Sequence, residues 1–87
     1  MFVILVYDVS VKRVTRMLKV GRKYLTWVQN SVLEGEISEA RLNAMRSEIK
    51  DVINEEADSV TIYRLRTDLY LDKETMGKVK GEPENII

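Results

Sequence analysis

The chain lacks two residue types on which many catalytic and metal-binding sites depend. Its 87 residues include no cysteine and no histidine. The absence of cysteine excludes disulfides, thiolate zinc sites and a cysteine nucleophile. The absence of histidine removes the commonest general base and a common metal ligand. Any catalysis must therefore use carboxylates, hydroxyls, lysine, arginine or a bound metal ion.

Length and composition indicate one small globular domain. Hydrophobic residues make up 45% of the chain and charged residues 32%, an ordinary balance for a soluble protein. A chain of this size buries a small core, so marginal stability or oligomerisation is expected. The apolar run at the N-terminus is too short to cross a membrane and is interrupted by Asp8. We therefore expect no signal peptide, no membrane association and a cytoplasmic location.

The net charge is zero, but the charges are segregated along the chain. Residues 34–58 contain eight acids against three cations. Residues 12–23 contain no acid and six cations, which are Lys12, Arg13, Arg16, Lys19, Arg22 and Lys23. A neutral protein of this kind can present one basic surface to a phosphate backbone. The alternative interpretation is an ordinary solvated helix face.

The first strand is predicted from the run Phe2-Val3-Ile4-Leu5-Val6-Tyr7, which does not alternate between apolar and polar residues. Such a run suits a central strand covered on both faces. Asp8 then lies where this strand leaves the sheet, directly before a basic helix. That position makes Asp8 the main functional candidate, although a strand-end carboxylate can also simply cap the following helix.

Helices are predicted over residues 11–24, after Ser10 as N-cap, and from Ser38 to about residue 53. Between them, residues 25–29 and 31–36 predict two short strands joined by a tight bend, or one long strand with a bulge. Residues 59–66 alternate and predict a further strand. The remaining short apolar pieces predict extra edge strands, or an arm that adds to another chain's sheet.

This βαββαβ order predicts an α+β, ferredoxin-like fold with a four-stranded antiparallel sheet and both helices on one face. Residues 1–66 would form the core, and residues 67–87 a C-terminal β arm that contributes to dimer or partner contacts. The other sheet face then needs a cover. Because the chain is small, a second copy is the simplest cover, and we expect a homodimer.

Several short motifs resemble the CRISPR-associated Cas2 family. They are Tyr7-Asp8-Val9 at the end of the first strand, Val28-Gln29-x-Ser31-Val32-x-Glu34-Gly35 after the basic helix, and Asp58-Ser59-Val60-x-Ile62-Tyr63. Each is weak alone, but their order and spacing cover nearly the whole chain. Leu33 stands where the family usually has Phe, which is a departure at a packing position.

The resemblance implies a small homodimeric, Mg²⁺-dependent endonuclease of RNA or DNA. It also implies a central subunit that holds the CRISPR integrase during spacer acquisition in antiviral defence. The family's strand-end aspartate corresponds to Asp8, as metal ligand and catalytic residue. Carboxylate oxygens suit Mg²⁺, and two Asp8 side chains across a dimer would make a better site than one. Contacts to nucleic acid are expected from Lys12, Arg13, Arg16, Lys19 and Ser31, although Ser31 can equally be a turn hydroxyl.

Two further functions remain open at this point. One is a non-catalytic scaffold whose basic helices hold duplex DNA while its edges bind the integrase subunit. The other is a ferredoxin-like regulatory domain that binds a small ligand. The sequence does not distinguish duplex DNA from single-stranded RNA as the partner.

Overall fold

The apolar run near the N-terminus, residues 2–7, forms most of the middle strand of a five-stranded antiparallel sheet. A computed structural model describes residues 1–65 and 71–78. Its strands are β1 (Phe2–Asp8), β2 (Thr26–Gln29), β3 (Val32–Glu36), β4 (Ser59–Leu65) and β5 (Leu71–Gly77), and its helices are α1 (Val11–Tyr24) and α2 (Glu39–Val52). The strand order is β2-β3-β1-β4-β5. The predicted fold class is confirmed, with a fifth strand added where four were expected.

The extra strand β5 comes from the predicted C-terminal arm and pairs with β4 of the same chain. Its register runs from Ser59 opposite Gly77 to Leu65 opposite Leu71. Only Met76 contributes to the core among the side chains described in this strand. The boundary predicted between residues 66 and 67, and the apolar pieces Leu69-Tyr70 and Ile86-Ile87, lie outside the described residues.

The two faces of β1 differ in their surroundings. Val3, Leu5 and Tyr7 are buried, and they share a core with side chains from both helices, including Met17, Val20, Leu42, Met45 and Ile49. The alternate residues Phe2, Ile4 and Val6 are only partly buried. Within one chain the helices therefore cover the face of β1 that carries Val3, Leu5 and Tyr7, and the apolar residues of the other face are less buried. We call the face carrying Phe2, Ile4, Val6 and Asp8 the open face.

Local sequence signals account for both helices. The Ser10 hydroxyl accepts a hydrogen bond from the Lys12 amide, and Ser38 caps α2 in the same way. Gly21 is buried inside α1, where a β-carbon would lie 3.1 Å from the Leu33 side chain. The close packing of α1 against Leu33 of β3 therefore accounts for a glycine at this position.

The segment between the helices forms two strands, as the first of the two alternatives predicted. The bend lies at Asn30 and Ser31, and Asn30 adopts a φ of 43°, which asparagine tolerates better than most residues. The ladder also shifts register between Trp27 and Gln29. The hairpin is thus short and irregular, and β2 is an exposed edge strand.

Candidate active site at the end of the central strand

Asp8 is the last residue of β1 and lies on the open face. It pairs with Ser59 of β4, and its side chain is exposed. Because successive residues of a strand point to opposite faces, Asp8 follows buried Tyr7 onto the side away from the helices. The predicted site residue is therefore at the strand end and accessible to solvent.

A second carboxylate, Asp58, lies buried at the same end of the sheet. Arg13 donates to it from Nε at 2.6 Å and from Nη2 at 3.0 Å. The backbone amides of Ser10 and Asn54 each donate to it at 2.9 Å. The Asp58 side chain is 1% exposed and that of Arg13 is 17% exposed. These hydrogen bonds hold the pKa of Asp58 well below its usual range, and the bond from the Arg13 side chain has the largest effect.

This buried pair is the feature that sequence reasoning missed. The sequence presents Asp58 only as one of the acids of residues 34–58, and it predicts that Arg13 contacts nucleic acid. A signal was present, because Asp58 directly precedes the buried strand that begins at Ser59. An acid at such a position is seldom left unpaired, but the sequence does not identify its partner.

The four cations of α1 that were expected to contact nucleic acid fall into two groups. Lys12, Arg16 and Lys19 are exposed and lie four and three residues apart, on one side of the helix. We call these three residues the basic stripe. Arg13 is separate from it, since its guanidinium is directed to Asp58. The basic stripe belongs to the helix layer, whereas Asp8 lies on the open face.

Part of the basic stripe faces acidic residues of α2. Arg16 and Lys19 line a groove of about 320 Å³ between the helices, opposite Glu48 and Asp51. Lys23, at the end of α1, forms an ion pair with Glu48 at 2.6 Å. Two hydrogen bonds lower the pKa of the Glu48 carboxyl, and the bond from Lys23 has a larger effect than the bond from Tyr24. The positive field of α1 is therefore partly neutralised toward its C-terminal end.

Ser31 lies beside Tyr7. The Ser31 carbonyl accepts a hydrogen bond from the Tyr7 amide at 3.0 Å. Burial raises the pKa of the Tyr7 phenol, and the Ser31 hydroxyl partly opposes that rise. Tyr7 points into the core, so this arrangement puts the Ser31 hydroxyl on the side of the sheet opposite to Asp8. The structure does not bring Ser31 and Asp8 together within one chain.

The residues present fit a sparse Mg²⁺ site at Asp8. In the described part of the chain, no three carboxylates are grouped closely enough to hold a metal ion. The two oxygens of Asp58 already accept four hydrogen bonds, which makes Asp58 a poor ligand. Mg²⁺ is commonly held by one or two carboxylates while keeping several waters. Asp8, alone or with a second copy, is consistent with that coordination.

The topology and the strand-end carboxylate define a small α+β protein of the ferredoxin-like class. Residues 1–73 match the family described as CRISPR associated protein Cas2, and the chain belongs to this family. The resemblance seen in the sequence is confirmed. None of the helices within residues 1–65 and 71–78 is long and apolar enough to span a membrane.

Relatives and solved structures agree with this assignment. The chain is 48% identical over 87 residues to a CRISPR-associated endoribonuclease Cas2 of Dictyoglomus turgidum, with 100% of both chains covered. It is 49% identical over 82 residues to a CRISPR-associated endoribonuclease Cas2 of Thermotoga maritima, with 94% of both chains covered. A crystal structure of Cas2 superimposes with a TM-score of 0.69 at 39% identity, over 100% of this chain and 93% of the other. The crystal structure of Streptococcus pyogenes Cas2 superimposes with a TM-score of 0.71 at 30% identity, over 78% of this chain and 89% of the other.

Proposed function

We propose that this protein is a metal-dependent endonuclease that cleaves nucleic acid through Asp8. The observation that carries the proposal is the exposed position of Asp8 at the end of the central strand, on the open face of the sheet. The relatives described above are named endoribonucleases, so single-stranded RNA is the first substrate to test and duplex DNA the second.

Asp8 supplies the hard oxygen ligand that a divalent cation requires. Asp8 would hold the cation, which when bound would supply Lewis-acid chemistry by polarising the phosphate and lowering the pKa of a coordinated water. Hydrolysis forms a bond between a water oxygen and phosphorus, breaks one P–O ester bond, and leaves the departing oxygen protonated. The contribution of this chain is to hold the Asp8 carboxylate at the open face, where a phosphodiester backbone can reach it.

We further propose that the active form is a homodimer that buries the open face. Phe2, Ile4 and Val6 place three apolar side chains there, and each is only partly buried in the single chain. A two-fold dimer uses the same patch on both copies. Asp8 belongs to the same face, so such an interface brings two carboxylates to one assembly. Two carboxylates are within the number that commonly holds Mg²⁺ in proteins.

A second function is favoured by the separation of the basic stripe from Asp8. Nucleic acid bound along α1 would contact the helix layer and need not reach the open face. The protein would then serve as a scaffold for duplex DNA beside the integrase subunit during spacer acquisition. The scaffold and the nuclease are compatible, because they use different surfaces of the same dimer.

Replacing Asp8 with asparagine separates these functions. Asp8→Asn preserves shape but removes the charge that holds a divalent cation. We expect loss of Mg²⁺-dependent cleavage, with folding, mass and duplex binding unchanged, and spacer integration close to wild type. The matched control is Glu39→Gln, which removes an exposed carboxylate from the first turn of α2. Both variants are purified in parallel to exclude a contaminating nuclease. Metal-dependent cleavage that persists in Asp8→Asn would refute the proposed site.

A further inference from the structure

The buried carboxylate of Asp58 connects three parts of the chain that meet behind Asp8. It accepts from Ser10, in the link between β1 and α1, and from Asn54, in the link between α2 and β4. Arg13, in the first turn of α1, provides two more donors. All four hydrogen bonds converge on a side chain that is 1% exposed. Charge-assisted bonds of this kind are short, strong and directional.

These contacts constrain the residue that precedes them in the chain. Asp8 lies two residues before Ser10, whose amide is bound to Asp58. On its other side, Asp8 pairs across the ladder with Ser59, the residue that follows Asp58. Asp8 is therefore held between a β-ladder and a turn that is fixed by one carboxylate. Its backbone cannot rotate freely without breaking one of the two.

Capping of the helices does not explain this arrangement. The Ser10 hydroxyl already caps α1 by accepting from the Lys12 amide, and the Ser10 carbonyl accepts from the Arg13 amide at 2.8 Å. The end of α2 is closed by the Ile53 amide, which donates to the Ile49 carbonyl at 3.0 Å. These cap contacts form at both helix ends without the Arg13–Asp58 pair, so capping alone does not account for the pair.

We propose that Asp58 and Arg13 are positioning residues that hold Asp8 in the orientation needed to bind a divalent cation at the open face. This inference rests on the proposed nuclease function of Asp8. It assigns Arg13 a role behind the site, where its guanidinium is already directed to Asp58, and it leaves contact with nucleic acid to the basic stripe. Supporting residues of this kind commonly change metal affinity or activity by about 10- to 100-fold when removed.

The test compares Arg13→Met and Asp58→Asn with Glu74→Gln. Glu74 forms an ion pair with Arg46 at 2.9 Å, between β5 and α2, and its side chain is 36% exposed, against 1% for Asp58. Glu74→Gln therefore controls for the general loss of a partly buried ion pair. Arg13→Lys, which keeps the charge, tests for partial rescue. All proteins are compared as dimers at equal folded fraction, measured by light scattering and circular dichroism.

Two readouts are needed, and one does not depend on cleavage. Mn²⁺ binding, measured by electron paramagnetic resonance, should weaken about 10-fold in Arg13→Met and Asp58→Asn. The kcat for single-stranded RNA should fall by about the same factor, while KM changes less than about twofold, because the basic stripe is untouched. Glu74→Gln should leave both at wild-type values, and Arg13→Lys should recover part of the loss. If Asp58→Asn does not fold, the two Arg13 variants provide the test, since they retain the backbone donors to Asp58.

The outcomes distinguish this inference from the function on which it rests. If Asp8→Asn abolishes Mn²⁺ binding and cleavage but Arg13→Met and Asp58→Asn behave like Glu74→Gln, positioning is refuted and the nuclease stands. If the wild-type protein binds no Mn²⁺, or if Asp8→Asn binds it normally, the proposed site and the positioning role are both overturned.

Discussion

Gly77 lies so close to Asp58 that no other residue fits there without a backbone shift. A β-carbon at position 77 would come within 2.1 Å of the Asp58 carbonyl oxygen, and Gly77 has a φ of +92°. The Lys78 amide donates to the same carbonyl at 2.8 Å. The end of β5 is thus attached to the residue whose side chain lies behind the candidate site.

We expect Gly77→Ala to destabilise the protein by about 1 to 3 kcal/mol or more, because it combines a steric overlap with a strained φ. Urea unfolding followed by circular dichroism measures this. Gly21→Ala is the control, since its overlap is only with side-chain atoms of Leu33 and helix propensity favours alanine by about 1 kcal/mol. An unfolding midpoint for Gly77→Ala at or above that of Gly21→Ala would contradict the prediction.

The proposed dimer predicts that a charge on the open face separates the two copies. Ile4→Lys places an ammonium group opposite Glu34 of the neighbouring strand, which helps the single chain to tolerate it. We expect the mass from light scattering to fall from twice the chain mass of 10.1 kDa to that value, with an unchanged circular dichroism spectrum. Val28→Lys, on the exposed edge strand β2, should remain dimeric. A dimeric Ile4→Lys protein would place the interface elsewhere.

The basic stripe predicts a salt-dependent interaction with duplex DNA. Reversing charge at Lys12, Arg16 and Lys19 together should weaken binding, and each lost phosphate contact should remove about one unit from the slope of log K against log salt. Sequence preference should change little, because phosphate contacts position a protein and do not specify a sequence. The control is Lys50→Glu, an exposed cation on α2, compared with Lys12→Glu alone. Equal slopes for these two single variants would mean that the stripe is an ordinary solvated face.

The Asp58 contacts predict a loss of stability in acid. The pKa of Asp58 is lowered in the folded protein, so its contribution is complete above the ordinary value of 3.8 and is lost as the pH falls toward the folded value. We expect Asp58→Asn to cost about 2 to 4 kcal/mol at pH 7, because it leaves Arg13 without its charged partner. The difference from wild type should shrink as the pH falls from about 4 toward about 2, measured by urea unfolding. A difference that stays constant over this range would show that Asp58 is not ionised in the folded state.

The order and type of the elements followed from local patterns in the sequence. The N-caps at Ser10 and Ser38 and the helical spacing of apolar residues depend on backbone geometry over a few residues. Those patterns placed both helices within one or two residues of their observed bounds. The βαββαβ order then left few ways to build a sheet with short connections, and the central position of β1 was confirmed. The position of Asp8 at the end of an apolar run was enough to identify it as a candidate site residue.

Tertiary structure decided the contacts between distant residues. Arg13 and Asp58 are 45 residues apart, and nothing in the local pattern pairs that arginine with that aspartate. The pairing of β5 with β4 was also undetermined, because a short charged strand fits an edge of its own sheet or of another chain. The placement of Asp8 and the basic stripe on different layers depends on the direction in which α1 leaves the sheet. Local periodicity is set by bond geometry within a segment, whereas these relationships arise only when the whole chain closes around its core.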